Sequence, residues 1–470
     1  MSHIAKATNP RRAQNPLRAV FVVGIVGAVL LVVLMLWLGG LSKRSNALST
    51  KEPVPPINVS VLSVRRHPEV LSRTTRLNNV KAGMAAYTND LPSGSCTEMT
   101  WLGETLTSIN TSATMVPGSL VKILVAVAAI KTLGSDYTYT TEIRGNLVNG
   151  VVGDLYVVGG GDPLLVRRDY VATEKYPTLY PTSLEALIDA TVASGVKQVT
   201  GSVIGVESRY DTQRYVSVWP ESFHGVEAGP LGALMSSDAM VAATGMRATN
   251  PADGAAMDVS SLLSARGVAV TGSVRVGSVA DDLPVLASVV SAPMSDIVTE
   301  LLVNSDNNTA ELLLKEMGLK SKGEGSTAAG LTALQEFLQA NYKDDVAVLS
   351  DGSGLSAQNG ATCSLMMKVL ADNEEWLLSS LAIAAETGTL RDFFKASPVA
   401  GIMRAKTGTL TNVKGLAGYV PVEDDEAVRF SLIMNAPSAD QQSVYLAHWN
   451  DLAEVAALAS AQPSVLQLAP

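Results

Sequence analysis

From Ala19 to Leu41 the chain reads AVFVVGIVGAVLLVVLMLWLGGL without a single charge. About 20 apolar residues suffice to cross a bilayer as a helix. A helix buried in a soluble core usually keeps a polar face, and this run has none, so the stretch predicts one transmembrane helix. Lys6, Arg11, Arg12 and Arg18 precede it. Positive charges stay on the cytoplasmic side, which places residues 1–18 inside as a basic tail and everything after Leu41 outside. A cleaved signal peptide would have an apolar stretch of only about 7 to 15 residues followed by a small-x-small site. The longer run and the lack of A-x-A favour a retained anchor. Residues 42–56, with Pro53, Pro55 and Pro56, suit an extended stalk.

The charge balance is uneven in the same way. All charges before Glu52 are positive, so the formal net charge of -9 conceals a more acidic body. Removing those seven residues from 35 Lys plus Arg leaves 28 basic against 44 acidic side chains, a net of -16. Such a body is a poor partner for nucleic acid, whose phosphates call for clustered cations. Two cysteines and four histidines, with no H-E-x-x-H, give no basis for a metal site. At 470 residues and 47% hydrophobic composition the chain is no disordered tail, and it has room for two to four folded units.

Several elements are legible. Ile57 to Val64 suggests a short strand, and Ser119 to Leu133, apolar without interruption from Ile123 to Ile130, a buried helix. Thr138 to Val158 is β-rich with a hairpin turn at Asn149-Gly150. Ser183 to Ser194 and Ala255 to Gly267 have helical character, each followed by a β-branched run, Val199 to Val206 and Val268 to Val276. Val285 to Val290 predicts a strand and Met294 to Met317 a helical stretch. Leu416 to Val420 and Ala427 to Met434 predict paired strands, and Tyr445 to Ala461 a terminal helix.

Serine acyl chemistry without a histidine can use Ser-x-x-Lys on a helix, because positions i and i+3 share a face and bring the amine to the hydroxyl. The pattern alone is weak, expected about once by chance in such a chain. It occurs at Ser119/Lys122 and at Ser194/Lys197. Gly195 breaks the turn that would align the second pair. Ser119 follows Pro117-Gly118 and opens the apolar helix, where helix-terminal N–H groups can face a developing oxyanion; a plain N-cap is its bland reading. The later motifs Ser305-Asp306-Asn307 and Lys406-Thr407-Gly408 complete an ordered set known from serine penicillin-recognising enzymes.

With LYVVGGGDPLL, GPLGALM, SDNNTAELLLKEMG, DGSGLS, TGTLRDFF and AKTGTLTNVKGLAGY added, the chain from about Leu62 onward resembles the class C low-molecular-mass penicillin-binding proteins. These are bacterial D-alanyl-D-alanine carboxypeptidases and endopeptidases of the cell wall. The resemblance implies an α/β (α+β) penicillin-recognising, serine transpeptidase-like domain, a five-stranded sheet covered by helices plus an all-helical subdomain. That domain would take residues 57–138 and 285–470, and residues 139–284 would form one or more inserted domains.

The resemblance also implies roles. Ser119 would be the nucleophile, Lys122 its base, and Ser305 the relay to the leaving D-alanine. Asn307 would hold the peptide donor, while Lys406, Thr407, Gly408 and Thr409 would receive the terminal carboxylate, the backbone N–H groups of Ser119 and Thr409 forming the oxyanion hole. No cofactor or metal is implied. Partners would be peptidoglycan stem peptides ending in D-Ala-D-Ala, β-lactams, and the membrane through the N-terminal helix, with the body extracytoplasmic in a single-pass bacterial membrane protein. An even pair of cysteines in an exported chain resembling this family suggests a bridge from Cys96 to Cys363.

Competing readings are blander or different. Gly159-Gly160-Gly161 is a turn rather than a phosphate loop, His224 is structural, Asp351-Gly352-Ser353-Gly354 shapes the site without acting in it, and Asp306 turns away from substrate. A β-lactamase would need a deacylating carboxylate, for which Glu207 and Glu386 are candidates by composition. A non-catalytic wall-binding protein on the same scaffold is the third possibility.

The topology is testable. Protease added to intact spheroplasts digests the body; full protection of the body would reverse the assignment.

Overall fold

The computed structural model describes residues 27–36, 68–423, 426–464 and 467. The chain divides into two compact units at Pro68. In the first, residues 27–36 are helical, with the side chains from Val29 to Leu36 between 53% and 72% exposed. Among the described residues no helix is long and apolar enough to cross a membrane. The strand expected over Ile57–Val64, the stalk and both ends of the apolar run lie outside the described residues.

The second unit is organised by a six-stranded antiparallel sheet. Its strands are β1 (Ser95–Trp101), β2 (Glu104–Ile109), β3 (Ala382–Ile383), β4 (Arg404–Leu410), β5 (Val413–Pro421) and β6 (Ala427–Asn435), in the order β3-β4-β5-β6-β1-β2. One strand more than expected is present, the two-residue edge β3. Side chains alternate between two cores. Leu416, Val420, Phe430, Leu432 and Met434 face the helices Pro68–Asn89 and Gln442–Ala457, while Ala417, Tyr419 and Ile433 face the other layer. That layer holds the helices Val121–Leu133, Met294–Asn304, Asn307–Lys322, Thr327–Asn341 and Cys363–Asp372. Both faces are thus covered, which is why β5 and β6 are almost continuously buried rather than alternating.

The Val121–Leu133 helix is buried on every side from Val121 to Ala129, as its unbroken apolar run predicts. Pro68–Asn89 escapes a sequence reading because its core contacts are a thin stripe, Val80, Met84 and Tyr87, among polar neighbours. The expected helical stretch from Met294 to Met317 is two helices, broken at Ser305 in the left-handed region with φ 65°. Asp306 then caps a new helix, accepting from the Thr309 N–H at 2.6 Å.

Residues between Tyr139 and Pro284 contribute four strands of a five-stranded mixed sheet, in the order Val274–Val276, Val203–Val206, Leu155–Val158, Thr140–Arg144 and Val285–Val290, the last lying past the expected boundary at residue 284, and a separate four-stranded sheet. The expected hairpin forms: Leu147–Val148 pairs with Val151–Val152 around Asn149 and Gly150, both at positive φ as a type I′ turn requires. The runs Val199–Val206 and Val268–Val276 are each split, because the chain passes from the four-stranded to the five-stranded sheet at Gly201 and Gly272. Helices Leu184–Ala193 and Pro251–Ala265 cover this sheet around Leu187, Ile188, Ala255 and Val259.

Cys96 on β1 is disulfide-bonded to Cys363, the first residue of its helix, with Cα atoms 6.1 Å apart. On the chain-entropy model a loop of 267 residues stabilises by up to about 5 kcal/mol. Removing both sulfurs by Cys96→Ala and Cys363→Ala therefore lowers Tm by several degrees. Peptide mapping without reductant recovers the two peptides linked; alkylatable thiols in protein from its native envelope would refute the bridge.

Candidate active site

The approach to Ser119 is fixed from outside its own helix. Met115 and Ala361 exchange backbone hydrogen bonds at 2.9 Å each way. The Asn435 side chain clamps the next residue, accepting from the Val116 N–H at 2.7 Å and donating to its carbonyl at 3.0 Å. Gly118 then begins a 3-10 turn, Gly118–Leu120, that runs into the Val121–Leu133 helix. Gly118 has φ +55°, and a Cβ there would stand 2.9 Å from the Thr409 amide nitrogen, so the turn and β4 touch backbone to backbone. No side-chain cap is made at either helix start, which removes the plain N-cap reading of Ser119.

Lys122 is fully buried and its three donors are all used. It donates to Ser119 Oγ at 3.0 Å, to Asn307 Oδ1 at 2.7 Å, and to the Ser353 carbonyl. That carbonyl belongs to the Asp351-Gly352-Ser353-Gly354 turn, whose buried Asp351 accepts from Trp219 Nε1, the N–H groups of Gly354 and Ser356, and Asn359 Nδ2. Glu311, also buried, accepts from the N–H groups of Gly352 and Ser353. The turn therefore shapes the site, as expected. Burial pulls the Lys122 pKa down to about 8, against the opposing pull of Asp351, Asp306, Glu311 and Glu227.

A second lysine sits across the cleft. Lys406 Nζ donates to Ser305 Oγ at 2.7 Å and to the Thr407 carbonyl at 3.0 Å. Burial first, then Lys122 and Lys414, hold its pKa well below the ordinary ammonium range. Gly408 serves the turn that carries Ser119: a Cβ there would lie 2.5 Å from the Pro117 carbonyl and against Leu120. Ser119, Ser305, Asn307, Thr407 and Thr409 all line one cleft of about 420 Å³.

The cleft also contains residues not singled out in the sequence: Lys175, Tyr176, Glu227, Phe393, Lys414 and Trp449. Lys414 donates to Thr409 Oγ1 at 3.0 Å. A two-residue turn at Thr411-Asn412 sets Thr409 opposite Lys414 on β5, a register the sequence could have disclosed. Other candidates lie elsewhere. Ser194 Oγ donates to the Thr191 carbonyl within its helix end, and His224 stacks on Tyr215 with ring centroids 4.1 Å apart. Glu207 is held by two hydrogen bonds from Arg214, and Glu386 opens onto a different cleft. No helix follows Gly159-Gly160-Gly161 directly, and a Cβ on Gly160 would meet the Thr140 carbonyl at 2.1 Å, so close packing explains that glycine. No cluster able to hold a metal ion occurs among the described residues.

The sequence matches the D-Ala-D-Ala carboxypeptidase 3 (S13) family over residues 90–262 and 231–451. It is 30% identical to a D-alanyl-D-alanine carboxypeptidase of Actinomadura sp., covering 73% of this chain and 78% of that one. It is 26% identical to the carboxypeptidase DacB of Mycolicibacterium smegmatis, covering 92% of this chain and 95% of the relative. Among solved structures, penicillin binding protein 4 of Haemophilus influenzae superposes with a TM-score of 0.64 at 21% identity, over 79% of this chain and 97% of that one. The same Haemophilus protein has been solved in complex with a β-lactam. With the order of its motifs, the fold and these matches in agreement, the chain belongs to the D-Ala-D-Ala carboxypeptidase 3 (S13) family, the penicillin-binding serine carboxypeptidases and endopeptidases.

Proposed function

We propose that the chain releases the terminal residue from D-Ala-D-Ala stem peptides, or opens cross-links between them, through an acyl-enzyme on Ser119. The observation that carries the assignment is the 3.0 Å contact from Lys122 Nζ to Ser119 Oγ at the floor of the cleft. Neutral Lys122 takes the hydroxyl proton as Ser119 Oγ attacks the carbonyl of the penultimate residue. The backbone N–H groups of Ser119 and Thr409 stabilise the oxyanion. Ser305, whose oxygen accepts from Lys406, delivers a proton to the leaving nitrogen, and Asn307 holds the donor peptide. The carboxylate of the leaving residue lies against Lys406, Thr407 and Thr409. Water then cleaves the ester and restores Ser119. A β-lactam would follow the same first step and leave a persistent ester. Neither β-lactamase candidate, Glu207 or Glu386, lies in the Ser119 cleft; the carboxylate that does line it is Glu227.

Two further assignments belong to this reading. Residues 57–138 and 285–470 would form the catalytic domain and 139–284 an insertion, a division supported by the separate core around Ile143, Leu187 and Val203, which the strand Val285–Val290 joins through Ala287 so that the second boundary shifts past residue 290. Residues 19–41 would anchor the chain in the membrane, supported by the exposed apolar side chains of residues 29–36. The disulfide fits an oxidising, extracytoplasmic setting.

Penicillin is expected to modify the peptide containing Ser119, and Ser119→Ala to lose both labelling and D-alanine release; labelling that survives the substitution would sink the assignment. A general base must be neutral to act. With the Lys122 pKa lowered to about 8, the neutral fraction is about a tenth at pH 7 and most of the population above pH 9. The acylation rate should therefore climb through pH 8 toward a plateau, and a rate that falls over that interval would assign the working form to the ammonium.

A further inference from the structure

Three buried lysines converge on the cleft: Lys122, Lys406 and Lys414. None of the three has a carboxylate within ion-pair distance among the described residues, whereas the equally buried Lys315 pairs with Asp211. Lys122 is offset at longer range by Asp351, Asp306, Glu311 and Glu227, whereas Lys406 has no such carboxylate and Lys414 only Asp440; burying two such ammonium groups is costly, and an anion would complete the site. Lys122 and Lys406 already have roles in the proposed reaction. Lys414 has none.

Its setting is specific. Lys414 is 6% exposed and held between aromatic faces, 3.8 Å from the ring centroid of Tyr445 and 4.7 Å from that of Trp449. Both rings come from the Gln442–Ala457 helix, and Phe393 and Phe394 pack edge-on and stacked against Trp449. Aromatic faces attract a cation without neutralising it. The nearest acidic influence on Lys414, Asp440, instead accepts from the Asn412 N–H at 2.7 Å. Among the described residues, the one side-chain hydrogen bond Lys414 makes is to Thr409 Oγ1, at 3.0 Å.

An ammonium has three donors and no acceptor, so in this contact the threonine oxygen must accept. The hydroxyl hydrogen of Thr409, an exposed residue, is then free to point into the cleft and donate to an incoming acceptor in place of solvent. We propose that Lys414 is the second cation of the carboxylate subsite, orienting the Thr409 hydroxyl as a donor and adding positive charge behind it. The proposal rests on the reading that Ser119 is the nucleophile and that the leaving residue's carboxylate lies against Lys406, Thr407 and Thr409. Lys414 is in that sense a specificity-determining residue for substrates with a free terminal carboxylate.

The test compares a peptide ending in D-Ala-D-Ala with its C-terminal amide, using wild type, Lys414→Met, Thr409→Val and the double variant. Methionine keeps the length and apolar stem between the two rings, and the melting temperature of each variant checks folding. For the free acid, Lys414→Met is expected to raise KM by about ten-fold, the scale of a lost charge-assisted hydrogen bond, with kcat and the amide's KM changed less than about two-fold. In the Thr409→Val background the same substitution should raise KM by clearly less, because its effect passes through that hydroxyl. Lys414→Arg should retain acid over amide preference. Equal losses on acid and amide, or a full effect persisting without the Thr409 hydroxyl, would overturn the proposal. Failure of the underlying reading shows separately, as a penicillin adduct on wild type at a residue other than Ser119.

Discussion

A single buried ammonium sets the arrangement of this molecule. Lys122 is fully buried with three protons to place, and its acceptors come from its own turn and from two distant stretches of chain: Ser119 one turn back, Asn307 at the head of another helix, and the Ser353 carbonyl of an irregular turn. Losing one acceptor would strand a donor in the interior, a cost comparable to a good part of a domain's net stability. The surrounding polar network is therefore built to keep those acceptors still. Asp351 gathers four donors to hold the turn, and Glu311, raised to about pKa 8 by burial and by Asp351, holds two of its amides.

The same economy of placement governs the strand side. Two backbones meet at Gly118 and Gly408, so the turn that carries Ser119 lies directly on β4 and the Thr409 amide nitrogen approaches Gly118 without any side chain intervening. The Asn435 clamp on Val116 ties that turn to β6, two strands away. Strand β4 and the helices that begin at Val121 and Asn307 thus fix one side of the cleft, while Lys175, Tyr176, Glu227 and Leu355 line it from irregular segments.

Residues carrying chemistry were the most legible part of the sequence, because Ser119, Lys122, Ser305, Asn307 and Lys406 declare themselves by order and spacing, and the structure brings them to one cleft or its wall. Elements with a strong period or an unbroken apolar run, such as Val121–Leu133 and Val285–Val290, were legible too. Those that escaped did so for identifiable reasons. β1 reads SCTEMTW, with Ser95 and Thr97 buried beside Cys96 and Met99, so no polar face marks it as a strand. The break at Ser305 is invisible to periodicity, since helical spacing continues on both sides and only a left-handed residue and the Asp306 cap interrupt it. Lys414 carries no motif of its own, and its place depends on counting register across a two-residue turn.

The sheet's strand order has a consequence for when activity can appear. β1 comes early in the chain, yet its inner neighbour is β6, the last strand, and β4 with its lysine and threonines reaches the nucleophile only as part of that late hairpin. Ser119 and Lys122 leave the ribosome long before Lys406, and the Asn435 clamp that steadies them comes later still. Until the late strands are in place the chain holds Ser119 and Lys122 without the strand side of the cleft. The strand wall of the cleft is complete only with the final strand seated between β5 and β1.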